Sequence, residues 1–358
     1  MHQLARALAE RQDDRVDAFT SSWKDRPASA DVADLGPGVR MVGRRIPVRC
    51  LNAAWHRLGW PPVEWVTGRT YDVVHSPTPL LLPSKQAAGL ITIHDLDFLA
   101  HPERTRAEMR HAYPALVARH AAAADGIIVV SEHVAEKASR LLRIDPERIS
   151  VCPHGIPRWS AAPRIEPGNA AGRYVLFLGT LEPRKNVDGL LAAYRDLIAR
   201  RPDAPPLKLA GAAVAGATAW RDAIGRPPLL GKVDYHGYVS DRDRQALYAG
   251  ARLLVLPSFD EGFGMPVVEA MSLGIPVVAS TRGALPEVSA GAALLVDPED
   301  LTGLSQAMER VLFDGQVARR MGEDGLRRSA GFNWARTAEL TRAAYERAIE
   351  ARRTRLRS

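Results

Sequence analysis

The sequence predicts an α/β fold with parallel sheets, organised as two domains. Short apolar runs of strand length alternate with segments of helical spacing, which is typical of parallel strands joined by helices. Residues 253–256 form one such run, and residues 267–271 follow with helical spacing. Because the chain has 358 residues, two domains of ordinary size can each bury a core.

The amino-terminal half is predicted to begin with a helix and to continue with buried strands. The apolar residues of the opening segment have helical spacing: Leu4, Ala5, Leu8 and Ala9. Apolar runs of strand length then occupy residues 89–93 and 124–130. His94 follows the first of these runs, where a lone histidine is more often a structural hydrogen bonder. Residues 157–173 are rich in Pro, Ala and Gly and are predicted to link the two domains.

The carboxyl-terminal half is predicted to contain a strand, a glycine turn, a helix and a second strand within residues 253–279. Gly262 and Gly264 let the backbone of the turn come close to a ligand. The helix after the turn presents backbone N–H groups and the positive end of its dipole, which suit a phosphate. Glu261 and Glu269 can accept hydrogen bonds from sugar hydroxyls. For either glutamate alone, a capping or solvated carboxylate is the simpler interpretation.

The glycine turn with its two glutamates, Glu261 and Glu269, resembles the E-x7-E element of retaining glycosyltransferases of family 4, which have the GT-B fold. Residues 174–186 agree with this, because they resemble the first strand and loop of the family's donor domain. The resemblance implies that Lys185 and Arg184 contact the diphosphate of a nucleotide-sugar donor.

One position of the same loop departs from the family pattern. Many members carry an arginine directly after the glycine that corresponds to Gly179, whereas this chain has Thr180 there. Arg184 can substitute for the missing charge.

The resemblance implies roles for further residues. Glu261 is expected to hold the donor sugar and Glu269 the ribose, while His94 lies near the transferred sugar. The predicted catalytic residues are His94, Arg184, Lys185 and Glu261. The predicted donor-binding residues are Gly179, Thr180, Tyr238, Val239, Gly262, Phe263, Gly264, Met265 and Glu269. Tyr238 and Val239 correspond to residues beside the nucleotide base, and packing in the core is an equal alternative for Tyr238.

The resemblance covers roughly residues 70–340 and implies two Rossmann-like domains that face a cleft. We expect an acceptor-side domain at residues 1–157 and a donor domain at 158–338. Residues 339–358 are expected to form a helix that returns toward the amino domain.

The amino terminus departs from the family pattern. Members normally open with a buried strand and a glycine-rich loop, whereas this chain opens in the predicted helix and continues with a strand at residues 15–20. The amino domain is therefore expected to lack its first strand. We expect the true start to lie upstream of Met1. The alternative is an impaired or inactive nucleotide-sugar-binding protein.

The net charge of +7 is concentrated at the carboxyl end, where residues 342–358 contain six Arg and two Glu. The simplest interpretation is a solvated helix end whose cations suit its dipole. Peripheral contact of this tail with an anionic membrane surface or a lipid-linked acceptor is a further hypothesis. Nucleic acid is not expected as a partner, because no binding motif or aromatic face accompanies the charge. The two cysteines, Cys50 and Cys152, do not suggest a disulfide framework.

Two other enzyme classes fit less well. A nicotinamide-dependent enzyme would need G-x-G-x-x-G after its first strand, which is not found here. A metal-dependent GT-A transferase would use an Asp-x-Asp pattern, and the chain has two, at residues 95–97 and 241–243. Patterns this short arise easily by chance, and each lies in a segment that the family resemblance explains better.

The sequence therefore predicts a cytoplasmic retaining glycosyltransferase that moves a hexose from a GDP- or UDP-linked sugar to a hydroxyl acceptor in a cell-surface glycan or glycolipid. Mannose is slightly favoured. No cofactor and no metal ion are expected, and peripheral association with the inner face of the membrane is a further expectation.

Overall fold

The computed structural model describes residues 2–10, 14–21, 35–104, 112–157, 173–214 and 219–357. It divides into two compact units: Met1–Gly155 with Asn333–Ser358, and Ile156–Phe332. Most of the predicted linker at 157–173 lies outside the described residues. The second boundary lies before Asn333 rather than at residue 338, because the helix Trp334–Arg357 packs on the strands of the first unit.

The first unit contains two parallel sheets. In the smaller one, β1 (Val16–Thr20) pairs with β2 (Val39–Gly43). The larger one has four strands in sequential order: β3 (Val73–Ser76), β4 (Ala88–Ile93), β5 (Gly126–Val129) and β6 (Ile149–Val151). The strands expected at 15–20, 89–93 and 124–130 are thus present. The absence of a first strand from the amino domain, and a start upstream of Met1, stay predictions.

The carboxyl-terminal helix supplies part of the core of the first unit. Ala344 and Ala348 pack with Leu90 and Ile128 of the larger sheet. Gly126 makes this approach possible, because a Cβ there would lie 3.2 Å from the Cβ of Ala348. The helices of this unit among the described residues are His2–Ala9, Val48–Ala53, Val63–Thr67, Asp97–Ala100, Ala112–Ala123, Glu132–Leu142 and Trp334–Arg357, with a π-helical turn at Ala54–Leu58.

The basic end of this last helix lies against its own unit. Arg352 donates through Nη2 to the carbonyl oxygen of Lys85 at 3.1 Å. Arg355 Nη1 lies 3.2 Å from Oδ1 of the buried Asp125. These two cations therefore already have partners within the unit. None of the helices in the described part of the chain combines the length and apolar character needed to cross a bilayer.

The second unit is built on one six-stranded parallel sheet. Its strands are β7 (Tyr174–Leu178), β8 (Leu207–Ala210), β9 (Val233–Tyr235), β10 (Ala251–Leu256), β11 (Val277–Ser280) and β12 (Leu294–Val296), in the order β12-β11-β10-β7-β8-β9. The chain moves from β7 outward to β9 and then returns to β10 on the other side of β7. The loops after β7 and β10 therefore flank a topological switch point, the usual ligand position in such sheets.

Seven helices among the described residues cover this sheet. They are Val187–Arg200, Ala219–Ile224, Asp241–Gly250, Met265–Ser272, Leu285–Ser289, Leu301–Phe313 and Gly315–Ser329. The side chains of β7 are all apolar and all buried, as expected for a central strand with helices on both faces.

Candidate active site

The loop after β7 holds its two basic residues in a fixed turn. Pro183–Lys185 form one turn of 3₁₀-helix, and Asn186 follows with a left-handed backbone (φ 55°). The Asn186 side chain accepts a hydrogen bond from the N–H of Gly189 at 3.2 Å and thereby caps the next helix. Its amide nitrogen donates to the carbonyl of Pro298 at 2.8 Å. Because both ends of the turn are anchored, Arg184 and Lys185 have defined positions.

Both basic side chains contact the first glutamate of the glycine turn. Lys185 Nζ donates to Glu261 Oε1 at 2.5 Å, and Arg184 Nη1 lies 3.5 Å from Glu261 Oε2. Arg184 also donates to the carbonyl of Asp260 at 2.7 Å and to the carboxylate of Glu182 at 2.8 Å. Ser258 donates to Glu261 Oε1 at 2.7 Å. The loops after β7 and β10 are thus joined by a polar network.

The ion pair at the centre of this network is buried, so the interaction between its charges is stronger than it would be in water. Lys185 is 8% exposed and Glu261 is 5% exposed. Removing one partner of such a pair costs about 3–5 kcal/mol, because the other charge is left buried without compensation. An anion that entered here would meet two cations already positioned without further ordering. The family resemblance assigned Lys185 and Glu261 to different parts of the donor, and the structure brings these two side chains together.

The glycine turn packs tightly against the loop after β11. Gly283 has φ 65°, and a Cβ there would lie 2.5 Å from the backbone nitrogen of Glu261. Gly264 has φ 89° and caps the helix Met265–Ser272, where a Cβ would lie 2.5 Å from Leu285. Phe263 of the turn is buried. The first turn of the helix begins beside Glu261, so its backbone N–H groups and the basic pair lie in one region of the second unit.

The remaining predicted donor-binding residues of the loops after β7 and β9 lie at the same edge of the sheet. Gly179 and Gly211 approach so closely that a Cβ on Gly211 would be 1.9 Å from the Gly179 carbonyl oxygen. Gly211 N–H donates to the carbonyl of Gly237, which anchors the loop that carries Tyr238. Tyr238 is 83% exposed, so its ring is available for contact and is not part of the core. Thr180 is exposed and Val239 is half-buried.

Glu269 lies deeper than its predicted partners. Its side chain is fully buried, and it accepts a hydrogen bond from Tyr248 Oη at 2.8 Å. Arg244 Nη1 lies 3.0 Å from the other carboxylate oxygen, and this guanidinium is partly exposed. Burial raises the pKa of Glu269, and the charge of Arg244 and the Tyr248 hydrogen bond oppose that rise. A ligand hydroxyl that reached this carboxylate would share it with Arg244 and Tyr248.

Arg244 and Tyr248 were not predicted from the sequence. They lie four residues apart on the helix Asp241–Gly250, so both side chains are on one face. The four-residue spacing of Arg244 and Tyr248 is the feature of the sequence that could have indicated that they act together. It identifies residues of one helical face but not the buried carboxylate that they contact.

His94 lies in the first unit, at the carboxyl end of β4. Its Nε2 lies 3.1 Å from the carbonyl oxygen of Pro77, which can only accept, so this nitrogen carries the proton. Its Nδ1 lies 3.3 Å from Nε2 of His154, and the two rings are stacked with centroids 5.3 Å apart. Burial lowers the pKa of both imidazoles, that of His154 to about 3. Both nitrogens of His94 are therefore engaged within the unit. Its contact with a sugar stays a prediction, and His154 was not singled out from the sequence.

A third histidine beneath this pair makes stability depend on pH. His75 is hydrogen-bonded to Tyr345 Oη at 2.8 Å and to Thr92 Oγ1 at 2.7 Å, and burial lowers its pKa to about 4. The folded state therefore disfavours protonation, and this contribution is present above the unfolded pKa of about 6.5 and is lost as the pH falls toward 4. Between pH 7 and pH 5 we expect the wild type to lose about 2 kcal/mol more unfolding free energy than His75→Gln.

Urea denaturation at the two pH values measures this difference. The exposed His236→Gln is the matched control and should behave as the wild type does. An equal loss in the wild type and in His75→Gln would contradict the assignment.

Comparison with known families identifies this arrangement. The sequence profile described as Glycosyltransferase Family 4 matches residues 1–158, and the profile described as Glycosyl transferases group 1 matches residues 162–328. The O-antigen chain mannosyltransferase B of Escherichia coli is 32% identical over 295 residues, which cover 79% of this chain and 76% of that protein. The chain belongs to glycosyltransferase family 4.

This family 4 glycosyltransferase is also similar to a second mannosyltransferase in sequence and to a solved glycosyltransferase in structure. The MMP alpha-(1->4)-mannosyltransferase of Mycolicibacterium hassiacum is 32% identical over 238 residues, which cover 62% of this chain and 54% of that protein. The structure of sucrose-phosphate synthase from Thermosynechococcus elongatus superposes with a TM-score of 0.72 at 23% identity and covers 96% of this chain and 91% of that one. The glycosyltransferase thus has the predicted GT-B fold.

Proposed function

We propose that this enzyme transfers a hexose from a nucleotide diphosphate sugar to a hydroxyl acceptor with retention of the anomeric configuration. The observation that carries the proposal is the buried network of Lys185, Arg184 and Glu261 beside the amino-terminal end of the helix Met265–Ser272. Two fixed cations and a helix dipole favour the negative charge that a departing diphosphate develops. Arg184 is the cation that can replace the arginine missing at Thr180.

The proposed step needs no protein nucleophile. The bond between the anomeric carbon and the diphosphate oxygen breaks, and a bond from that carbon to the acceptor hydroxyl forms on the same face of the sugar. The acceptor proton passes to the departing diphosphate oxygen. The enzyme supplies positioned charge at the diphosphate, a role in which one donor group is worth about 2.7–4 kcal/mol. No metal ion and no cofactor have a part in this scheme.

Mannose is the proposed sugar and GDP its carrier. Two relatives with 32% identity are named mannosyltransferases, and the Gly-Thr-Leu-Glu-Pro-Arg-Lys-Asn form of the loop after β7 agrees with them. The proposed acceptor is a growing cell-surface polysaccharide or a glycolipid, since one of the two relatives is named for the O-antigen chain. The enzyme would act at the inner face of the cytoplasmic membrane.

The test combines binding with product analysis. In calorimetric titrations of the purified protein with GDP, UDP, ADP and NAD, we expect GDP to bind and NAD to give no heat of binding. With GDP-α-mannose and a synthetic alkyl α-mannoside as acceptor, we expect an α-linked product, identified by the one-bond C–H coupling at the anomeric carbon. A β-linked product would overturn retention. Binding of GDP without turnover for any acceptor would favour the alternative, an inactive nucleotide-sugar-binding protein.

A further inference from the structure

Large apolar side chains are exposed together on one segment of the first unit. Leu58, Trp60 and Trp65 are 76%, 57% and 58% exposed, and Val48 is also exposed. Most of the other exposed large apolar residues of the described chain lie singly on helices or loops, where they need no explanation. We call Val48, Leu58, Trp60 and Trp65, together with Arg45, Arg49, Arg57 and Lys85, the tryptophan face.

The local fold holds these side chains outward. The helix Val48–Ala53 continues as the π-helical turn Ala54–Leu58, and Leu51 and Trp55 on its inner side are buried. Trp55 Nε1 donates to the carbonyl of Pro61 at 2.8 Å, which fixes the turn that presents Trp60. Leu51 and Trp55 anchor this helical segment to the unit, while Val48 and Leu58 near its two ends and Arg49 and Arg57 are exposed to solvent.

The two exposed indoles form a pair with a cation beside it. The rings of Trp60 and Trp65 meet edge to face with centroids 6.3 Å apart. Lys85 Nζ lies 4.3 Å from the centre of the Trp65 ring. An indole ring is apolar except for its N–H group. Tryptophan and lysine side chains are found together at the boundary between lipid headgroups and acyl chains.

The charge of the tryptophan face has one sign. Residues 35–63 contain five arginines and no aspartate or glutamate. Arg45, Arg49 and Arg57 are exposed, and within the described residues they form no ion pair. The adjacent Glu64 is half-buried, and its carboxylate accepts hydrogen bonds from Ser84 Oγ at 2.6 Å and from Lys85 N at 3.0 Å. The face therefore offers several cations around an aromatic centre, and Glu64, the acid beside it, is already hydrogen-bonded within the unit.

We propose that the tryptophan face is the surface through which this protein binds an anionic lipid bilayer. Apolar side chains would enter the headgroup region while the three arginines and Lys85 pair with lipid phosphates. The basic carboxyl-terminal tail is the less suitable surface, because Arg352 and Arg355 already bond to the unit that they cover. This inference concerns a surface outside the donor site and does not depend on the proposed chemistry.

Vesicle sedimentation of the full chain tests the proposal. The probes are phosphatidylcholine vesicles with and without about 30 mole per cent phosphatidylglycerol, an anionic lipid that gives the vesicle a negative surface potential. We expect binding to the anionic vesicles only. The triple variant Arg45→Gln, Arg49→Gln, Arg57→Gln should lower the partition coefficient about a hundredfold, and Trp60→Ser with Trp65→Ser about tenfold. Brominated phosphatidylglycerol should quench the fluorescence of the wild type but much less that of the double tryptophan variant.

Matched control variants show whether vesicle binding depends on the tryptophan face or on exposed charge and apolar side chains anywhere on the protein. Arg226→Gln with Arg319→Gln and Arg320→Gln removes three exposed charges from the second unit, and Leu230→Ser removes an exposed apolar side chain. These variants should bind vesicles as the wild type does, and every variant is first checked for an unchanged melting temperature. No binding of the wild type to anionic vesicles would overturn the proposal. So would a wild-type dimer in light scattering that the tryptophan variant converts to a monomer, because the face would then join two copies of the chain.

Discussion

Replacing Lys185 with methionine is expected to lower kcat for glycosyl transfer by about a hundredfold or more. The ammonium group is fixed 2.5 Å from Glu261 and is largely buried, and one positioned donor of this kind is worth about 10²–10³ in kcat. Methionine keeps most of the apolar stem, so packing around the side chain changes little. Initial rates with saturating donor measure the effect, and Lys232→Met in the same unit is the control.

Stability must be separated from catalysis in this experiment. Lys185→Met leaves Glu261 with the hydrogen bond from Ser258 and with the Arg184 cation at 3.5 Å, and a broken buried pair costs up to about 3–5 kcal/mol. The double variant Lys185→Met, Glu261→Gln removes both charges and is expected to recover most of the lost unfolding free energy while kcat stays low. If a folded Lys185→Met enzyme turned over as fast as Lys232→Met, the proposed role of Lys185 would be wrong.

Replacing Glu269 with alanine is expected to weaken binding of the nucleoside diphosphate by about 10- to 150-fold. This is the range for loss of a hydrogen bond to a charged group, about 1.5–3 kcal/mol. Tyr248→Phe removes the hydroxyl that donates to the carboxylate at 2.8 Å and also lies 3.3 Å from the Pro266 carbonyl oxygen, and it should bind the nucleotide nearly as well as the wild type does. Calorimetry with each variant measures the dissociation constants.

A double cycle shows whether Glu269 contacts the ribose itself. The wild type and Glu269→Ala are each titrated with GDP and with 2′-deoxy- and 3′-deoxy-GDP. If the carboxylate accepts from a ribose hydroxyl, the loss of that hydroxyl should weaken binding to the wild type but not to Glu269→Ala. Additive losses for both deoxynucleotides would exclude direct contact. The Arg244–Tyr248–Glu269 cluster would then be a support for the helix Met265–Ser272.

The alternation of apolar runs and helical segments, together with the family resemblance, was sufficient to predict the fold. Strands such as β7 and β10 are almost entirely apolar, Arg252 of β10 apart, because both of their faces are covered, and such apolar runs can be recognised in the sequence alone. The glycine turn was also predictable, because Gly264 has φ 89° and a Cβ there would lie 2.5 Å from Leu285. The expectation of a donor site at the carboxyl ends of β7 and β10 came from the family resemblance and stays a prediction.

The partners of the site residues depended on tertiary structure. Lys185 and Glu261 are 76 residues apart, and only the pairing of β7 with β10 brings their loops together. The same holds for His94 with His154 and for Glu269 with Arg244, whose contacts join different elements. A sequence states which groups can carry charge or donate a proton. Which of them meet, and which are withdrawn from water, is decided by the packing of segments distant in the chain, because burial and distance set the strength of each interaction.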